Sequence, residues 1–191
     1  MTTTRLEAFS DAVIAIVITI LVLELKVPHE PELAALRELV PVFLSYVLSF
    51  VYLGIYWNNH HHMLVLTEHV NGAILWANLH LLFWLSLVPF TTGWMGENDF
   101  ARAPTAVYGV NLLLAAIAYF ILQTAIVAEE GDGSRLKAAL GRDLKGKVSP
   151  ALYVAGILLS LLQPWLGLSL YVFVALMWLV PDRRIASVVG E

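Results

Sequence analysis

The chain contains no cysteine, which excludes a disulfide framework, thiolate nucleophiles and cysteine-ligated metal. Charge is scarce as well. Asp, Glu, Lys and Arg make up 14% of the 191 residues, against roughly 25% in an ordinary soluble domain. Such a chain offers little to a phosphate backbone, and no nucleic-acid partner is expected. The N-terminus lacks a basic stretch leading to a small-residue cleavage site, so the first apolar run is expected to be retained and not removed as a signal peptide. An H-x-x-x-H pair, the helical spacing that would aim two imidazoles at one metal, is missing; no metal and no cofactor are expected. No T-V-G-Y-G-like stretch occurs either, which excludes a filter of stacked backbone carbonyls of that kind.

What is abundant is apolar surface. Hydrophobic residues are 59% of the chain and the mean hydropathy is +0.76, which defines an all-α integral membrane protein in a lipid bilayer. At roughly 20 apolar residues per span plus connections, the length accommodates about six transmembrane helices in a single membrane domain, 1–191. The pattern predicts spans at about 4–25, 39–57, 70–95, 103–128, 148–162 and 166–180, with a hydrophilic cytoplasmic loop at 129–147. The block from Val148 to Val180 is short for two crossings and is broken by Gln163-Pro164. It reads as two short, tilted or thinned spans, with a membrane hairpin as the other reading. With six spans and the N-terminus inside, Arg5, Arg135, Lys137, Arg142, Lys145, Lys147, Arg183 and Arg184 fall on the inner side, whereas Lys26, Arg37 and Arg102 fall outside. That asymmetry predicts two cytoplasmic termini. The basic stretch from Arg135 to Lys147 follows from this topology and also suits anionic headgroups.

The first span is unusual in opening on ions. Arg5 and Asp11 precede the apolar run Ala12 to Leu25, and ionisable groups at membrane depth need an interior partner or a water path. At about 100° per residue, Arg5, Phe9, Ile16, Thr19, Ile20 and Leu23 share a stripe, while Ser10 and Asp11 point away to either side of the back. Taken alone, the stripe reads as helix packing. The back face should join Trp57, Asn58, the histidines and Asn78 in a polar network that leaves no buried charge unpaired.

The segment R-x-x-x-F-S-D followed by A-I-x-x-T-x-L-x-L-x-L, here Arg5, Phe9, Ser10, Asp11, Ala15, Ile16, Thr19, Leu21, Leu23 and Leu25, resembles the signature of the transmembrane protein 175 family of potassium channels in its short prokaryotic form. The resemblance implies a homotetramer in a prokaryotic plasma membrane, with the first helix of each subunit lining a central pore for K⁺. It assigns Ile16 as the main constriction, with Ile20 and Leu23 further out. Thr19, one turn away, would offer oxygen to a partly dehydrated ion. The motif residues Arg5, Phe9, Ser10 and Asp11, with Trp57, Asn58, His61 and Asn78, would hold the pore helix in place. Glu24 reads either as an outer ring that concentrates cations or as an ordinary solvated helix end.

Other readings stand beside this one. The same hydroxyl and carboxylate groups suit a proton pathway. The run His60-His61-His62 with Glu68 and His69 suits titration near neutral pH and, in combination with Asp11, an intramembrane metal-dependent enzyme.

Overall fold

Proline marks several helix starts. Pro41 and Pro89 lie in the first two positions of their helices and Pro164 opens another, where a missing N–H is not needed. The structure, a computed structural model, describes residues 2–140 and 143–179. Among the described residues it is helical throughout: α1 Thr3–Leu21, α2 Val40–Val65, α3 Gly72–Ser86, α4 Val88–Glu97, α5 Arg102–Glu130, α6 Arg135–Leu140, α7 Leu144–Leu162 and α8 Pro164–Leu179. Short 3₁₀ turns follow α1 at Val22–Glu24, precede α2 at Leu33–Arg37 and follow α5 at Gly131–Gly133.

Among the described residues five helical segments are long and apolar enough to cross a membrane: Thr3–Glu24, Val40–Val65, Gly72–Glu97, Arg102–Glu130 and Leu144–Leu162. The apolar α8, with 16 residues, spans about 24 Å at 1.5 Å per residue. A single extended residue, Gln163, turns α7 into α8. Val180, the expected end of this segment, lies outside the described residues, as do Arg142, Arg183 and Arg184.

Several boundaries differ from the sequence pattern. α2 continues past Trp57 to Val65. No glycine or proline interrupts this stretch, and Asn59 and His62 donate to the carbonyls of Ile55 and Asn58 one turn back, at 2.8 and 2.6 Å. The span around Pro89 is two helices, α3 and α4, meeting at Leu87, because the proline removes one backbone donor. The stretch 129–147 holds the end of α5, all of α6 and the start of α7. Ser134 links the first two, donating to Glu130 at 2.8 Å and accepting from the Lys137 N–H at 3.1 Å. α6 buries Leu136 and Ala139 against the core.

Lipid is as apolar as leucine, so these helices are held by close packing and hydrogen bonds more than by a hydrophobic drive. One core joins α1, α2, α3, α5 and α6 through residues such as Leu6, Ile14, Leu53, Leu81 and Leu122. A second, rich in tyrosine, joins α2, α5, α7 and α8 through Tyr52, Tyr108, Tyr153 and Tyr171. Gly109 on α5 and Gly156 on α7 make room for the Tyr171 ring, since a Cβ at either position would overlap it. Alanine at Gly156 gains up to about 1 kcal/mol of helix propensity, but forcing a methyl against a ring with no free space costs about 1–3 kcal/mol. Gly156→Ala is therefore expected to lower the midpoint of thermal unfolding in detergent. An unchanged midpoint would show that α7 and α8 separate without penalty.

Candidate pore helix and its polar anchor

α1 has two faces of different chemistry. Leu6, Ser10, Ile14, Val17 and Leu21 recur every three or four residues and are buried against the rest of the chain, where α1 meets α2, α3 and α4. On the other side Phe9 is 48% exposed, Ile16 58%, Ile20 40% and Leu23 74%. Thr19 lies among them and donates its hydroxyl hydrogen to the Ile16 carbonyl at 2.8 Å. That bond uses the donor and leaves the oxygen lone pairs available on the exposed face.

The buried face carries a hydrogen-bonded chain between three helices. Ser10 Oγ donates to the Leu6 carbonyl at 2.9 Å and accepts from Asn78 Nδ2 at 2.9 Å. With its amide nitrogen so engaged, Asn78 offers Oδ1 to His60 Nε2 at 2.7 Å, which places the imidazole hydrogen on Nε2. Ser10, Asn78 and His60 are fully buried, and His60 Nδ1 has no partner among the described residues.

Two further bonds flank this chain at the α1–α2 contact. Trp57 Nε1 donates to Asp11 Oδ1 at 3.0 Å, and His61 Nδ1 meets Glu7 Oε1 at 2.6 Å. The structure thus brings Ser10, Asp11, Trp57, His61 and Asn78 together. No hydrogen bond among the described residues brings in the side chains of Arg5 or Asn58, which are exposed, and Phe9 lies on the exposed stripe. The sequence pattern does not single out Glu7, and marks His60 only as one of a histidine run. The three histidines diverge to Asn78, Glu7 and the Asn58 carbonyl. Among the described residues no three His, Asp or Glu side chains are placed to share a metal ion.

At the far end of α1, Glu24 is half-buried over Gly93 of α4, where a Cβ would overlap its carboxylate. Glu24, Phe90, Trp94 and Glu97 line a shallow recess there. Lys26 pairs with Glu97, whose carboxylate holds the Lys26 ammonium above its ordinary pKa.

These features define an all-helical, multi-span membrane protein whose polar-anchored first helix turns an apolar stripe away from the rest of the chain. The family model described as endosomal/lysosomal potassium channel TMEM175 matches residues 5–89. A potassium channel of Chryseobacterium sp. (strain P1-3) is 52% identical over 191 residues, 100% of each chain. Another, of Chamaesiphon minutus, is 33% identical over 182 residues, 87% of this chain and 88% of that one. The crystal structure of a lysosomal potassium-selective channel TMEM175 homologue from Chamaesiphon minutus matches with a TM-score of 0.82 at 29% identity, over 95% of this chain and 97% of that one. The chain belongs to the TMEM175 family of ion channels.

Proposed function

We propose that four copies of the chain form a potassium channel of modest K⁺ over Na⁺ selectivity, with one α1 from each copy around the pore. The observation that carries this reading is the exposed stripe of Ile16, Thr19, Ile20 and Leu23 opposite a face tied to α2 and α3. One copy has a single such helix and cannot enclose a water path, so closure needs symmetry-related copies. Layers of large aliphatic side chains gate by dewetting, and Thr19 supplies oxygen beside the Ile16 layer. α8 completes six crossings with both termini cytoplasmic, in a prokaryotic plasma membrane. No cofactor takes part, and the relatives' identity as channels together with the divergent histidines argues against a metal-dependent enzyme.

The test is K⁺ efflux from liposomes holding the purified protein, with reversal potentials measured in K⁺, Na⁺ and H⁺ gradients. Flux with a reversal potential that follows K⁺ is the expected outcome. A potential that follows H⁺ alone would replace this reading with a proton pathway, and monomers alone in multi-angle scattering would remove the tetramer.

Glu24 gives a graded prediction. A carboxylate at a pore mouth raises the local cation concentration over a Debye length of about 10 Å at 0.1 M salt. Glu24→Gln should therefore lower K⁺ conductance about twofold at 10 mM salt, where the same length is roughly 30 Å, and leave it unchanged near 1 M. Equal conductance in both salts would assign Glu24 to packing on α4.

A further inference from the structure

A cavity of about 60 Å³ lies between α2, α5, α7 and α8, away from α1. Its walls are aromatic: Tyr56, Tyr119, Tyr153 and Trp178, with Tyr56 and Tyr119 edge to face at 6.1 Å. Two polar groups face it without partners. Gln123 is 7% exposed, and among the described residues neither its carboxamide nor the Tyr56 hydroxyl is hydrogen-bonded, although both line the space. The Gln123 carboxamide is therefore open to whatever occupies the space.

The character of that molecule follows from the lining. Asp143 contributes a carboxylate, held at the head of α7 by accepting from the Gly146 N–H at 3.0 Å. Gln123 adds a carboxamide, and the tyrosine and tryptophan rings add aromatic surface. Trp178 already draws one ammonium, that of Lys145, to 6.0 Å from its ring centre. Aromatic faces around one carboxylate select a cation whose charge is spread over apolar groups, since ring attraction then replaces a weak hydration shell. At about 10–15 Å³ per water-sized probe, the space suits some four to six heavy atoms.

We propose that this cavity is a binding site for small alkylammonium cations, set inside each subunit and separate from the pore. Asp143 supplies the counter-charge, Tyr56, Tyr119, Tyr153 and Trp178 form the cage, and Gln123 orients the guest. The site does not depend on the channel reading, because no residue of α1 contributes to it.

The experiment is calorimetric titration of the purified, detergent-solubilised full chain with tetramethylammonium chloride, using tert-butanol as a neutral molecule of equal heavy-atom count. Saturable tetramethylammonium binding without tert-butanol binding is expected. Asp143→Asn keeps the cap of α7, because asparagine caps helices and tolerates a left-handed backbone, and should weaken binding at least tenfold. Gln123→Leu, which removes the carboxamide oxygen from the cavity wall, should weaken it while the protein stays folded by thermal melting. Ile16→Asn should leave the affinity unchanged. The proposal is overturned by absence of binding up to 100 mM, by equal binding of tert-butanol, by an unchanged affinity in Asp143→Asn, or by binding lost in Ile16→Asn alone, which would place the cation in the pore.

Discussion

Ile16→Asn is expected to raise K⁺ flux through reconstituted channels about tenfold and to reduce discrimination against Na⁺. A ring of isoleucine side chains offers an ion no ligands, so the ion either keeps its water in too narrow a space or loses it without replacement. Asparagine supplies both carbonyl and N–H groups to water at that level. Lowering the barrier by about 1.4 kcal/mol is enough for a tenfold change. The subunit itself should be little affected, because Ile16 is 58% exposed and substitutions outside a core usually stay within about 0.5 kcal/mol. An unchanged unfolding midpoint beside raised flux would therefore locate the effect in the pore. If Ile16→Asn leaves rate and selectivity alone and Leu23→Asn raises them, the narrowest layer belongs to Leu23. If neither changes flux in a conducting protein, α1 does not line the path.

The two faces of α1 are legible in the sequence because a period of 3.6 separates them without help from the rest of the chain. The α1–α2 contact is legible in part. Glu7 and Asp11 are four apart, as are Trp57 and His61, and on antiparallel neighbours two such pairs meet rung by rung, Asp11 with Trp57 and Glu7 with His61. The Glu7 rung escapes the R-x-x-x-F-S-D pattern, which specifies Arg5, Phe9, Ser10 and Asp11 and leaves position 7 open. The choice of His60 over His61 as the buried histidine cannot be read from the run itself. Adjacent residues on a helix point about 100° apart, and which of three faces the core depends on how α2 is rotated against α3. The tyrosine-lined cavity leaves no trace in the sequence pattern. Its walls come from four helices, and no local period relates Gln123 on α5 to Asp143 ahead of α7.

Asn78→Leu should be the most damaging single change in the polar anchor, and its partner substitution should partly repair it. Asn78 is fully buried and makes two bonds, to Ser10 and to His60. Side-chain hydrogen bonds between membrane helices contribute about 0.6 kcal/mol on average and up to about 1.7. Stranding a buried polar group costs more than the lost bonds themselves. Without Asn78, His60 Nε2–H joins Nδ1 in having no partner at a fully buried position, at about 1–3 kcal/mol. Ser10 is less exposed to this loss, because it still donates to the Leu6 carbonyl. A total near 2–4 kcal/mol is expected, read as a lower unfolding midpoint and a smaller oligomer fraction in detergent. Asp11→Ala should cost less, about 1 kcal/mol, since its partner Trp57 is 47% exposed and is not left at a fully buried position. The double variant Asn78→Leu with His60→Leu separates the lost bonds from the stranded imidazole. Removing both polar partners leaves no imidazole to strand, so the pair should be more stable than Asn78→Leu alone, with a negative departure from additivity of at least about 1 kcal/mol. Strict additivity would mean that Asn78 and His60 act independently, and α1 would then be held by its apolar contacts with Leu53, Leu81 and their neighbours. Conduction offers a second readout of the same bond. If α1 frames the pore, freeing its inner end should make the channel leaky to Na⁺ in Asn78→Leu and restore K⁺ preference in the double variant, in step with the recovery of stability.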